Sequence, residues 1–382
     1  MAATPLNIAR NLRELIESEA DRVDENLTLT RPIVDELVES GLFRLLVPQD
    51  LGGLEADPST IIDVFEELSF ADGSVGWAFA QNTTVMAYSA YLDRECGLRL
   101  AQAPAAAGMF APLGIAHKQE KGFVVSGKYQ FGSGCGHATN MGGAAVEMHD
   151  GEMPEFQDGL PLLRAFIVPV DRVEFQGNWD VVGLRGTGSF DFEVPEQFVE
   201  NGMTFSLFET RPTTGGALYG IGPVPLGTIS SCAWALGVAK RALHEIVEIA
   251  SGGRMRMGSS PMREREIFQR DLGHQMMALE SARLLAHDAY GNAVATVARG
   301  AASDECREAI RKTWAAATYV SQVSKAAVVC AYEASGSQGL RNPSRLQRCF
   351  RDIYAGASHL VFDERNYIEL AKARLGFEPS PF

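Results

Sequence analysis

The chain has 382 residues, 46% hydrophobic and 21% charged, with 34 basic against 48 acidic side chains and a formal charge of −14. That is enough apolar mass for a large core built from two or three substructures, and the acidic balance argues against a nucleic-acid footprint and against attraction to anionic membrane surfaces. Six cysteines (Cys96, Cys135, Cys232, Cys306, Cys330, Cys349) stand singly, without the spacing of a zinc site. No metal is therefore expected, and free thiols in a reducing cytoplasm are. The opening residues lack the apolar core of a signal peptide, and no run is long enough to span a bilayer.

Residues 1–105 read as an N-terminal helical domain. Pro32 opens a helix on which Ile33, Val34, Leu37 and Val38 keep helical spacing, and Gly41 ends it. Leu45 to Leu54 is a turn punctuated by Pro and Gly, and the next helix carries Ile61, Ile62, Val64 and Phe65 on its apolar side. Residues 106–210 change pattern. Gly122 to Phe131 reads as two strands around a Ser126-Gly127 turn. Ala165 to Val168 is a short apolar run bounded by Pro169, and Phe190, Phe192 and Val194 alternate with polar neighbours at strand period. Residues 211–382 return to long helices. Leu236, Ala239, Leu243, Ile246 and Ala250 keep a three-four rhythm, as do Leu272, Met276 and Leu279, then Ile310, Trp314, Ala317, Ser324 and Val328. The expected fold is α+β and mostly α: N-terminal helices, a central β-barrel or sandwich, and a C-terminal four-helix bundle.

Four segments stand in order along this plan: Glu39 to Gly53; Gly122 to Ala138 around Ser126-Gly127-Lys128-Tyr129-Gln130-Phe131-Gly132-Ser133-Gly134; Gly183-Leu184-Arg185-Gly186-Thr187-Gly188-Ser189 closing on Val194-Pro195; and Ser335-Gly336-Ser337-Gln338-Gly339-Leu340 leading to Arg351-Asp352. With this order of elements the chain resembles the acyl-CoA dehydrogenase superfamily over nearly its whole length. In that family an Arg-Asp step is often followed, about two helical turns on, by a glutamate that removes a substrate proton. After Arg351-Asp352 there is no such carboxylate, and the stretch ends in His359. Together with Ala71-Asp72-Gly73-Ser74-Val75-Gly76-Trp77 and Ser133-Gly134-Cys135-Gly136-His137-Ala138, this is similar to the branch of two-component flavin monooxygenases that oxidise phenols, phenylacetates and aromatic sulfur or nitrogen compounds.

The resemblance implies roles for particular residues. His359, two turns past Asp352 on the same helix, is expected to face a cleft between bundle and β-domain. Desolvated there, it stays neutral at physiological pH and can take a proton from the substrate; a core histidine satisfied by a carbonyl is the plainer reading. Ser133, at a strand end, is expected beside flavin N5, where holding the N5 proton in a dry pocket prolongs a C4a-hydroperoxyflavin; the alternative is a turn serine bonded to its own backbone. Phe110, Pro112 and Phe131 pack on or edge the isoalloxazine, or the sheet core. Thr187, Gly188 and Ser189 contact flavin, or form a simple turn. Arg254, with Ser335 and Ser337, reaches a flavin phosphate. Trp77 and Asn82 sit on one helix at the substrate pocket, where some relatives carry a histidine that this stretch lacks. His137 is expected to be structural.

The expected function is that of an oxygenase component taking reduced FMN or FAD from a separate reductase and O2 as cosubstrate, acting on a small aromatic-type substrate. The alternative is an acyl-CoA dehydrogenase-like oxidoreductase with a relocated base, against which the lack of Asp or Glu from Tyr219 to Ala235 counts. The family implies a homotetramer; neither nucleic acid nor a membrane is an expected partner.

Overall fold

The computed structural model describes residues 3–149, 153–154, 156–157, 160–209, 211–253 and 260–377. Helix α1 (Pro5–Asn26) starts behind Thr4, whose hydroxyl accepts the Asn7 N–H. Helix α2 (Arg31–Glu39) carries Ile33, Val34 and Leu37 inward and gives way to left-handed Gly41, as its sequence predicts. Helices α3 (Pro58–Ala71) and α4 (Gly73–Ala87) each begin at an aspartate. Asp57 accepts the N–H groups of Ser59 and Thr60, and Asp72 those of Ser74 and Val75. Both are buried over most of their length. Helix α5 (Arg94–Ala101) leads into the sheet.

The described strands are β1 (Ala106–Gln119), β2 (Gly122–Gly132), β3 (Asn140–His149), β4 (Met153–Pro154), β5 (Phe156–Gln157), β6 (Leu160–Pro161), β7 (Leu163–Pro169), β8 (Glu174–Phe175), β9 (Phe190–Glu200) and β10 (Thr204–Ser206). Their main sheet runs β10-β7-β3-β1-β2-β9-β8, with β1 parallel to β3 and the other pairs antiparallel. The pairing path is open at its ends, yet Tyr129, Phe166, Phe192, Val125 and Met141, from strands far apart along it, share one apolar cluster. The sheet therefore curls round a core of its own, in keeping with the barrel-like expectation.

One expectation fails here. Gly122 to Phe131 is a single strand, not two around Ser126-Gly127. The reversal lies at Glu120-Lys121, between β1 and β2. Gly127 instead marks a shift of register against β9. A Cβ there would lie 2.7 Å from the Tyr129 hydroxyl, which crosses to the Ala144 carbonyl at 2.9 Å, so this glycine serves a close packing contact inside a strand.

Helices α6 (Pro223–Ser251), α7 (Glu266–Ala298), α8 (Ser303–Ser335) and α9 (Arg345–Gly356) pack as the bundle, followed by α10 (Arg365–Arg374). Leu236, Ala239, Leu243, Ile246 and Ala250 are buried on α6. On α7 the buried stripe runs from Leu279 to Thr296, and Met276 lies outside it, 55% exposed. Helix α9 ends at Gly356, so His359 is not on the helix that carries Asp352; it lies in the following turn and caps Leu360–Phe362. Gly356 comes so close to α6 that a Cβ would stand 2.1 Å from the Trp234 ring.

Candidate active site where helix α4, the sheet and the bundle meet

The loop before β9 is clamped on three sides. Leu184 adopts a left-handed conformation (φ 54°) that a side-chain-bearing residue resists. The buried Asp352 carboxyl on α9 holds it by accepting the Leu184 N–H at 2.6 Å. Gly183 makes this approach possible, since a Cβ there would lie 2.1 Å from the Arg351 carbonyl. From α4, Ser74 Oγ accepts the Gly186 N–H at 3.2 Å. From α1, Asp24 pairs with Arg351 at 3.2 Å and with Arg185 at 3.6 Å.

Asp352 lies in a tight acidic setting. Burial first, then the neighbouring Asp72, push its pKa up to about 7, while the Leu184 N–H and Arg351 oppose the rise. Its second oxygen has no hydrogen-bond partner. Asp72 is likewise raised by burial, opposed by Arg348, which donates to it at 3.3 Å. These carboxylates fasten α4, α9 and the loop together.

The clamped loop feeds a line of buried hydroxyls. Ser133 follows the end of β2, and its Oγ lies 2.6 Å from Ser189 Oγ, which lies 2.6 Å from Thr187 Oγ1. Thr187 Oγ1 donates to the Leu184 carbonyl at 2.8 Å. At the other end the Trp77 indole Nε1–H donates to Ser133 Oγ at 3.2 Å. The Trp77 ring then meets His359 edge-on at 5.5 Å between centroids, and Trp234 at 4.8 Å. Trp77 from α4, Ser133 from the sheet and His359 from the bundle are thus joined through one indole.

His359 Nδ1 accepts the Val361 N–H at 3.3 Å, which fixes the ring's tautomer with the proton on Nε2 when neutral. Burial against the protein lowers its pKa to about 4, so the ring is uncharged at neutral pH. It lines a recess of about 570 Å3 with Ser321, Gln322 and Lys325 of α8 and Ala357, Ser358, Leu360, Phe362, Asp363 and Glu364. The lining is all bundle; the sheet reaches His359 through Trp77 and does not wall the recess as expected.

The other anticipated residues divide. Phe131 is 52% exposed, in a left-handed conformation (φ 63°), with the Trp179 ring edge-on at 6.2 Å. It forms an open aromatic ledge two residues from Ser133. Phe110 belongs to the core: its ring covers Gly142 and stands edge-on to Tyr88 at 4.8 Å. Pro112 is exposed at an irregularity of β1, where register shifts on both sides. Asn82 is buried with its amide committed, donating to the Ala106 carbonyl at 2.8 Å while Oδ1 meets His137 Nε2 at 2.9 Å. It braces the turn after Ser133. Ser335 is buried at the end of α8, donating to the Tyr332 carbonyl at 2.6 Å, and Ser337 is exposed. Arg254 lies outside the described residues. Sequence reasoning did not single out Trp234, Trp179 or the Leu184 carbonyl. Trp234 and Trp179 are two of only four tryptophans in the chain, which was the one available signal.

Two family models match the chain: "Acyl-CoA dehydrogenase, N-terminal domain" over residues 7–93 and "Acyl-CoA dehydrogenase, C-terminal domain" over residues 229–364. An indole-3-acetate monooxygenase of Acinetobacter baumannii is 31% identical over 268 residues, 69% of this chain and 67% of that protein. The flavin-dependent monooxygenase oxygenase subunit HsaA of Mycobacterium tuberculosis is 29% identical over 390 residues, 97% of this chain and 94% of that protein. The crystal structure of 3-HSA hydroxylase from Rhodococcus sp. RHA1 superimposes with a TM-score of 0.89 at 20% identity, covering 99% of this chain and 98% of that one. Helices, curled sheet and bundle in this order, matched at both ends by the family models, define the class: the chain belongs to the acyl-CoA dehydrogenase family. Within it, the chain falls on the branch of flavin-dependent monooxygenase oxygenase components.

Proposed function

We propose that the chain is the oxygenase component of a two-component monooxygenase that uses reduced FMN or FAD from a partner reductase, together with O2, to insert one oxygen atom into a small aromatic substrate. The observation that carries this reading is the join at Trp77, which links a neutral imidazole to a buried serine at a strand end. The protein fits a flavin ring in two respects. Phe131 and Trp179 offer an exposed aromatic ledge for a flat apolar face. Ser133 and Ser189 are buried hydroxyls that each keep a lone pair after their mutual bonds are made. When bound, the reduced flavin supplies the electrons that activate O2.

Each residue then has a defined task. Ser133 would hold N5, with Thr187 and Ser189 behind it. Arg254 and Ser337, with the loop end at Ser335, would reach the phosphate. Trp77 excludes water between Ser133 and His359. His359 would take the substrate's acidic proton. It is uncharged, and the one basic lone pair of the neutral ring, on Nδ1, is held by the Val361 N–H. The neutral ring therefore carries its proton on Nε2, and taking the substrate's proton requires Nδ1 to let go of the Val361 N–H. The rival reading, a carboxylate base relocated within the bundle, has no support from the two buried acids beside the site, since Asp72 caps α4 and Asp352 holds Leu184.

We also infer a cytoplasmic homotetramer. Among the described residues no helix is long and apolar enough to cross a membrane, and Met277 and Leu284, seven positions apart on α7, put exposed apolar side chains on one face suited to burial between subunits.

The function is tested by mixing the protein, loaded anaerobically with reduced FMN or FAD, with oxygenated buffer containing indole-3-acetate or simple phenols. Products one oxygen atom heavier than the probe are expected. Dye reduction by an acyl-CoA, with no oxygenated product from any probe, would overturn the proposal.

A further inference from the structure

The hydrogen bonds running from Trp77 to Leu184 have a single sense. The Trp77 Nε1–H can only donate, and the Leu184 carbonyl can only accept. Three hydroxyls lie between them, with contacts of 3.2 Å from Trp77 to Ser133, 2.6 Å from Ser133 to Ser189, 2.6 Å from Ser189 to Thr187, and 2.8 Å from Thr187 to the carbonyl. Four links need four protons, and one indole N–H with three hydroxyls supplies four. Every link is filled in one arrangement alone: Ser133 donates to Ser189, Ser189 to Thr187, and Thr187 to Leu184. Turning the Thr187 proton round would leave two oxygen lone pairs facing each other at 2.8 Å. The carbonyl at the end is fixed, because Leu184 also accepts the Thr187 N–H at 3.2 Å and gives its own N–H to Asp352. Each hydroxyl has therefore given away its proton, and Ser133 and Ser189, 4% and 2% exposed, present only lone pairs to a ligand.

Building on the reading that flavin N5 lies beside Ser133, we propose that this fixed sense makes the site selective for the reduced flavin, with Thr187 as the positioning residue that sets it. The reduced ring carries N5–H, a donor that matches the Ser133 lone pair. The oxidised ring presents an N5 lone pair, so acceptor meets acceptor. The protein thus favours the flavin form delivered by a reductase and releases the form left after turnover, by a device two hydroxyls away from the ring.

Anaerobic titrations of the full chain with oxidised and with dithionite-reduced FMN and FAD test this directly. Wild type is expected to bind the reduced form about tenfold tighter or more, the scale of one hydrogen bond exchanged for one unsatisfied polar contact. In Thr187→Val, Ser189 has only Ser133 to donate to, and the Ser133 proton turns outward. Oxidised flavin should then bind more tightly and the preference shrink severalfold. Thr187→Ser should restore the preference. Trp77→Phe, which removes the head of the line and leaves its end, should keep it. Equal binding of both redox forms by wild type, or an undiminished preference in Thr187→Val, overturns the inference and leaves the flavin site standing. Failure of wild type to bind either form overturns the flavin reading and this inference with it.

Discussion

Two half-buried histidines set the two faces of this site apart. His359 and His137 both have pKa values lowered to about 4 by burial, and each lies against an aromatic ring, Trp77 at 5.5 Å and Phe43 at 5.8 Å. Their surroundings differ. His137 Nε2 is bound to Asn82 Oδ1, and its Nδ1 is sealed without a partner. His359 has Nδ1 held by its own turn and lines a recess of about 570 Å3. A perturbed pKa is thus common to a structural residue and a candidate catalytic one; access and the identity of the engaged nitrogen separate them.

The strongest way to break this contrast is to remove each ring in turn. His359→Ala is expected to lower the rate of oxygenated product formation about 100-fold or more, the usual range for a lost acid–base group, while reduced-flavin affinity holds. Gly356→Ala acts on the His359 side alone. Its Cβ would meet the Trp234 ring at 2.1 Å, so an overpacking cost of about 1–3 kcal/mol is expected, read by denaturant unfolding, with a fall in turnover as Trp234 shifts Trp77. His137→Phe keeps the stacking on Phe43 but leaves buried Asn82 Oδ1 unbonded. A loss of about 1–3 kcal/mol is expected, with turnover per folded protein unchanged.

Acid and base titrations sharpen the comparison further. For both histidines the fold favours the neutral ring. Their contribution to stability is present above the ordinary value of 6.5 and is lost as pH falls from there through about 4. Asp352 works in the opposite sense. The fold favours its protonated form, so its contribution is present at low pH and is lost as pH rises from 3.8 through about 7. Asp352→Asn keeps an acceptor for the Leu184 N–H. Melting temperatures of this variant should therefore decline less than those of wild type between pH 5 and 8; parallel curves would show that Asp352 is ionised throughout.

Most of the fold was legible because periodicity and end signals agree. Pro32 and Gly41 bound α2, alternation marks β9, and the three-four rhythm marks α6 and α8. Ser126-Gly127 misled because a glycine needed for the Tyr129 hydroxyl reads like a turn glycine. Met276 misled because helical spacing does not say how far the neighbouring helices extend along α7. At the site, His359, Ser133, Thr187, Ser189 and Trp77 are brought together, while Phe110 and Asn82 turn out to be committed to packing and bracing. No local pattern separates an asparagine that braces a turn from one that lines a pocket. The line of hydroxyls was beyond sequence reasoning as well, since it depends on a leucine held in a left-handed conformation by an aspartate 168 positions away.

The central claim is that the neutral His359 imidazole, joined through Trp77 to the Ser133 side, directs oxygen into an aromatic substrate. Its most direct test is single-turnover oxidation of the protein loaded with reduced flavin under 18O2, with indole-3-acetate and phenol as probes, comparing wild type with His359→Ala. Wild type should yield product carrying one labelled oxygen, and His359→Ala should oxidise its flavin fully while releasing hydrogen peroxide and little labelled product. Labelled product formed by His359→Ala at the wild-type rate and yield would contradict the account.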